Sequence, residues 1–147
     1  MLDQSGDLTP TPAVQTIKRE DYTPPAWLVD QVALDFDLTP TATIVTATLT
    51  MQPNPTHKGS STQIELMGEA QELLEIAIDS TPLPASSYTL TEDDLTIDTA
   101  AKPLTLTIKS KIIPEENTRL EGLYMSGPKE TAMFCTQCEA EGFRRIT

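Results

Sequence analysis

The sequence predicts an all-β fold of antiparallel strands arranged as a sandwich. Three observations carry that prediction. Apolar and polar residues alternate with a period of two in one run after another, β-branched residues dominate those runs, and Pro, Gly, Asn, Asp or Ser separates them at short intervals. No stretch carries the 3.6-residue apolar period of a substantial helix, and there is no internal repeat or coiled-coil pattern. Strands at this spacing with turn residues between them build an antiparallel sheet or sandwich.

Residues 1–17 are polar and rich in Pro and Thr and read as a flexible leading segment, and 18–147 as one β-domain. KREDYTPPAW (18–27) is a polar lead-in whose paired prolines oppose helix. LVDQVALDFDL (28–38) places Val32, Leu34, Phe36 and Leu38 on one face and Asp35 and Asp37 on the other. TATIVTATLTMQ (41–52) is β-branched throughout, and Thr39-Pro40 marks the turn of a hairpin between them. The 53–62 stretch reads as an exposed loop. QIELMG (63–68) is a short strand ending at its glycine.

EAQELLEIAID (69–79) is rich in helix formers, yet Leu74, Ile76 and Ile78 alternate with Glu75, Ala77 and Asp79. The turn residues STPLP follow at once, so a strand from about Leu73 is the expectation. SYTLTEDDLTIDT (87–99) reads as a second hairpin with Glu92, Asp93 and Asp94 at its tip, and PLTLTIKSKIIP (103–114) as the clearest strand of all. LEGLYMSG (120–127) and CTQCEAEGFRRIT complete the chain, and the closing GFRRIT looks like the start of another strand.

Composition excludes several functions. The formal charge of the 147 residues is -12, which repels phosphate backbones and argues against nucleic acid and anionic membrane surfaces as partners. No run of about 18 apolar residues could span a bilayer, and the first residues lack the basic and apolar regions of a signal peptide. With two closely spaced thiols and no disulfide framework, the expected compartment is the cytoplasm.

The single histidine, His57, sits in the Pro/Gly/Ser-rich loop without a second histidine at a ligand spacing, so a self-contained zinc hydrolase or His-based acid–base enzyme is not expected. Cys135 and Cys138 form a C-x-x-C, but zinc needs four ligands and a thioredoxin-like pair needs a helix after the first cysteine. The simpler reading makes both cysteines small, partly buried hydrophobes.

More informative are the residues between and after them. In an extended segment Gln137, Glu139 and Glu141 share one face. An amide oxygen beside carboxylates is a receptor for an ammonium group, since it offers acceptors and negative charge together. A solvated acidic loop is the competing reading. In it, Arg144 and Arg145 neutralise Glu141 or Glu139 as surface pairs of little energetic weight.

LEGLYMSG (120–127) followed by FCTQCEAEGFRRIT (134–147) resembles the N-terminal domain of the aminopeptidase N family, the zinc-dependent gluzincin aminopeptidases, and its bacterial branch above all. KREDYTPPAWLVDQVALDFDL is similar to that branch's opening, while 39–113 is similar only in strand rhythm. The resemblance implies a saddle-shaped, all-β domain, cut short at its C-terminal end here, that packs on a thermolysin-like catalytic domain and sends a loop into the active site.

It also implies that Gln137 and Glu139 bind the free α-amino group of a peptide substrate. The zinc ligands, general base and exopeptidase motif of the family have no counterpart in this sequence. The resemblance therefore implies no catalytic residue, no metal ligand and no cofactor in this chain, no activity of the chain alone, and zinc in the parent enzyme. The implied partners are the chain's own catalytic domain and a peptide N-terminus, with self-association through exposed edges. Two other readings stay open: a stand-alone β-sandwich interaction module, and a small redox or metal protein built on Cys135 and Cys138.

Overall fold

The two long β-branched runs fold against each other as the first hairpin of the molecule. In the computed structural model, which describes residues 18–128 and 130–147, β1 (Trp27–Asp37) pairs antiparallel with β2 (Thr43–Pro53), with an irregularity in register between Val29 and Gln31. The other strands are β3 (Gln63–Met67), β4 (Glu72–Ile78), the two-residue β5 (Thr81–Pro82), β6 (Tyr88–Leu90), β7 (Asp94–Asp98), β8 (Leu104–Ile112), β9 (Gly122–Ser126) and β10 (Met133–Gln137). They form a five-stranded sheet in the order β1-β2-β8-β4-β5, a three-stranded sheet β3-β7-β6 and a two-stranded ribbon β10-β9, every pairing antiparallel. The all-β, antiparallel, sandwich-like architecture read from the sequence is what the chain adopts, and the ambiguous 69–79 stretch resolves as strand from Glu72. The leading segment 1–17 lies outside the described residues.

One face of the large sheet builds the core. Because side chains alternate along a strand, Val45, Ala47, Leu49 and Met51 of β2 lie on the same face as Leu104, Leu106, Ile108 and Ile112 of β8; the register sets Ala47, Leu49 and Met51 beside Ile108, Leu106 and Leu104, and Ile112 beside Thr43. The three-stranded sheet covers one end of that face, contributing Ile64, Leu95 and Ile97 to a cluster with Met51, Ile76, Leu104, Leu106 and Ile108. Trp27 closes the same cluster, and its Nε1 donates to the Gln63 carbonyl at 2.7 Å, so the indole is buried without leaving its N–H unpaired. The β9–β10 ribbon and the C-terminal residues cover the other end, where Val45, Ile112, Leu123 and Ile146 form a second cluster. Full burial of a side chain such as Leu106 or Ile97 contributes roughly 1.5–3 kcal/mol each.

One local expectation is corrected and two are refined. GFRRIT does not begin a strand: Gly142–Arg145 forms a 3-10 turn, in which the Arg144 and Ile146 amides donate to the carbonyls of Glu141 and Phe143. The turn swings Ile146 back into the second cluster, so burial overrides the extended tendency of this run. The polar lead-in likewise holds one 3-10 turn, Arg19–Asp21, ahead of the prolines. His57 is not simply a loop residue. It is half-buried, and its Nδ1 lies 2.9 Å from the Pro24 carbonyl, which can only accept, so the imidazole tethers the 53–62 loop to the lead-in.

Candidate functional site

A turn held at both ends. Gln137 is the last residue of β10, where it pairs with Gly122 of β9. The chain leaves the ribbon at Cys138, passes Glu139 and Ala140, and closes with the Gly142 amide donating to the Cys138 carbonyl at 3.0 Å. The Glu139–Ala140 peptide bond is cis. Glycine is required at the base of this turn. A Cβ on Gly142 would run into the Gln137 carbonyl and the Gly122 amide, both backbone groups that cannot swing aside. Gly122 has φ +72°, a left-handed value that glycine adopts without cost, and a Cβ there would meet the Arg145 side chain and the Gly142 carbonyl.

The far end of the turn is pinned by charge. Arg145 is buried at 8% exposure, and its guanidinium Nη1 donates to Glu69. Arg144 reaches both Glu69 (Nε to carboxylate oxygen, 3.3 Å) and Glu141 (Nη1, 2.6 Å). The main chain joins in: the Arg144 carbonyl accepts from the Glu69 amide at 2.8 Å and from Gln71 Nε2 at 3.0 Å. Glu69 and Gln71 lie on the 68–71 crossover that carries the chain from the three-stranded sheet to the five-stranded one, with Ala70 in the left-handed region at φ 54°.

These pairings bear out the reading of Arg144 as a surface partner of Glu141 and correct the rest of it: the principal partner of both arginines is Glu69, and neither pairs with Glu139. Arg145 is committed to Glu69, and Arg144 divides between Glu69 and Glu141. Nothing local in the sequence marks Glu69, which lies 76 residues from Arg145. The available hint was the doubled arginine after Gly142-Phe143, a charge density that a buried segment has to neutralise.

Gln137 and Glu139 are both exposed, and among the described residues Glu139 enters no ion pair. Glu141 does not join them as the alternation predicted. The extended run stops at Gln137, and Glu141 instead lines a large apolar cleft beside Phe143, Arg144 and Thr147. That cleft, about 520 Å³, opens between the two larger sheets and is also lined by Val29, Val32, Met67 and Leu90. What the turn offers is therefore an exposed carboxylate, without an ion-pair partner among the described residues, and an exposed amide two residues away.

Cys135 is half-buried within β10 and Cys138 is exposed, both as free thiols. Among the described residues no three His, Cys, Asp or Glu side chains are grouped so as to hold a metal ion, and no helix is long and apolar enough to cross a membrane.

Comparison with known proteins gives a consistent relationship. The chain is 42% identical to Aminopeptidase N of Caulobacter vibrioides over 139 residues, 95% of this chain and 15% of that protein. It is 39% identical to Aminopeptidase N of Escherichia coli over 129 residues and 37% identical to that of Haemophilus influenzae over 132 residues, in each case 88% of this chain and 14% of the relative. Among solved structures it is similar to Legionella pneumophila aminopeptidase A in complex with aspartic acid. The TM-score is 0.72 at 32% identity, over 86% of this chain and 14% of that one. No family model matches the chain. The chain thus spans 14–15% of the length of the curated relatives it matches, in their N-terminal part, and the resemblance read from TQCEAEGFRR extends along nearly its whole length.

Proposed function

We propose that this chain is the substrate-anchoring part of a metallo-aminopeptidase, and that Glu139, aided by Gln137, accepts hydrogen bonds from the α-ammonium group of a peptide. The observation that carries the reading is the state of Glu139. In a turn whose two arginines are both engaged elsewhere, its carboxylate stays exposed and, among the described residues, without a cation. A charge-assisted bond from an ammonium to such an acceptor is strong and directional. Fixing the charged end of the peptide at a set position lets only the first peptide bond reach the reacting groups, so the contribution is one of orientation.

The relatives' shared name, Aminopeptidase N, and the amino acid held by the Legionella enzyme fit a site for a free α-amino group. Zinc, which the resemblance assigns to the parent enzyme, would polarise the scissile carbonyl and activate water. Among the described residues no three candidate ligands are grouped to hold it, and in this reading that chemistry is supplied by the catalytic domain of the parent enzyme. The two free thiols suit a reducing compartment such as the cytoplasm.

The test uses a chimera in which this chain replaces the matching segment of the Escherichia coli relative. Glu139→Gln keeps the shape and removes the charge. It is expected to raise KM and to lower kcat/KM on an aminoacyl p-nitroanilide by about 100-fold, the order expected for truncating one partner of a desolvated charge pair. A variant that retains the parent chimera's efficiency would refute the assignment.

A further inference from the structure

We propose that Glu69 is a positioning residue for the ammonium site: through Arg144 and Arg145 it fixes the turn whose tip carries Glu139. The inference rests on the proposed role of Glu139 and adds a residue 70 positions earlier in the sequence.

Glu69 is the only carboxylate among the described residues that takes both arginines of the turn, and it sits on a different structural unit from them. Its link is doubled by main chain, because its own amide donates to the Arg144 carbonyl. The neighbouring Gln71 side chain donates to the same oxygen, filling both of its lone-pair directions. The other end of the turn is fixed independently, by the β9–β10 pairing at Gln137 and the Gly142–Gly122 contact. With both ends held, Glu139 and Ala140 have little room to wander.

Arg145 is buried, and a guanidinium in that position without Glu69 would be an uncompensated charge. Releasing Glu69 therefore frees the C-terminal end of the turn more than it weakens the sandwich as a whole. By the same arrangement Arg144 and Arg145 are withheld from Glu139, which keeps its acceptor oxygens for a ligand.

Two measurements test this. On the 147-residue chain, residue-resolved amide hydrogen exchange reads the Gly142 amide, bonded to Cys138, and the Glu69 amide, bonded to Arg144. Glu69→Gln is expected to cut protection at both by about tenfold more than at amides of β8, the pattern of local opening on top of the global loss. A uniform loss across turn and β8, or no loss at all, overturns the inference.

Gln71→Ala removes a single bond to the Arg144 carbonyl and serves should Glu69→Gln fail to fold. It is expected to give a loss of the same kind, several-fold in size. In the chimera, Glu69→Gln is expected to raise KM by about tenfold with kcat within about twofold. Combined with Glu139→Gln it should add nothing, because both changes remove one function. If Glu139→Gln impairs the chimera while Glu69→Gln leaves KM unchanged or adds fully to it, the positioning role fails alone. If Glu139→Gln is itself silent, the ammonium reading fails and takes this inference with it.

Discussion

The same face of the five-stranded sheet is dry at its centre and bare at its edge. On β2 and β8, Val45, Ala47 and Leu106 are fully buried. On β1, the register sets Val32, Leu34 and Phe36 beside Leu49, Ala47 and Val45, on that same face, yet Val32 is 45% exposed and Phe36 37%. The residue types are alike and the backbone geometry is alike. What differs is the cover: the three-stranded sheet and the β9–β10 ribbon lie over β2, β8 and β4, and no described residue closes the cleft over β1. Alternation decides which way a side chain points, and a second layer decides whether that direction is worth anything in free energy.

Substitutions should separate the two regions cleanly. Leu106→Ala removes a fully buried side chain from the principal cluster and is expected to lower unfolding free energy by about 3–4 kcal/mol, read from urea denaturation. Val32→Ala, on the same face at the edge, is expected to cost less than about 1 kcal/mol. Equal losses at the two positions would mean that the edge is covered after all. Next in size is Arg145→Met. Breaking a buried ion pair costs about 3–5 kcal/mol, but Glu69 is partly exposed and retains Arg144, so about 2 kcal/mol is expected here. Arg144→Met, at a more exposed guanidinium, should cost less.

This contrast also explains what the sequence made legible. The hairpins, the 103–114 strand and the faces of β1 and β2 follow from period-two alternation, a local property that any adequate cover would preserve. The strand in 69–79 was readable because its alternation ran straight into turn residues. The end of the chain was not. GFRRIT has the composition of a strand start, and only the burial of Ile146 and the long-range pull of Glu69 turn it into a 3-10 turn. Gln137 and Glu139 were legible as a pair of acceptors, but the expected third member, Glu141, was lost because spacing assumes an extended chain and the chain bends.

A bare apolar edge should also act between molecules. β1, which no described residue pairs on its outer side, carries exposed Val29, Val32 and Phe36, with Leu38 just beyond it, and presents both backbone groups and apolar surface to a neighbour. Sedimentation of the 147-residue chain is expected to show concentration-dependent association, with Val32→Lys shifting it toward monomer at little cost in stability. A single monomeric species across the accessible range would show that the cleft is satisfied within one molecule.

The smallest expected effect is the most diagnostic. Glu139→Gln in the isolated chain should change unfolding free energy by no more than about 0.5 kcal/mol, since the carboxylate is exposed and no described cation pairs with it. Glu69→Gln, the same chemical change at a carboxylate that grips two arginines, should be clearly destabilising. The two glutamates differ in no way that composition or charge counting can register; among the described residues one is committed to internal cations and the other is not. A Glu139→Gln change as costly as Glu69→Gln would mean that Glu139 holds the fold together, and a carboxylate occupied in that way has no acceptor left for a peptide.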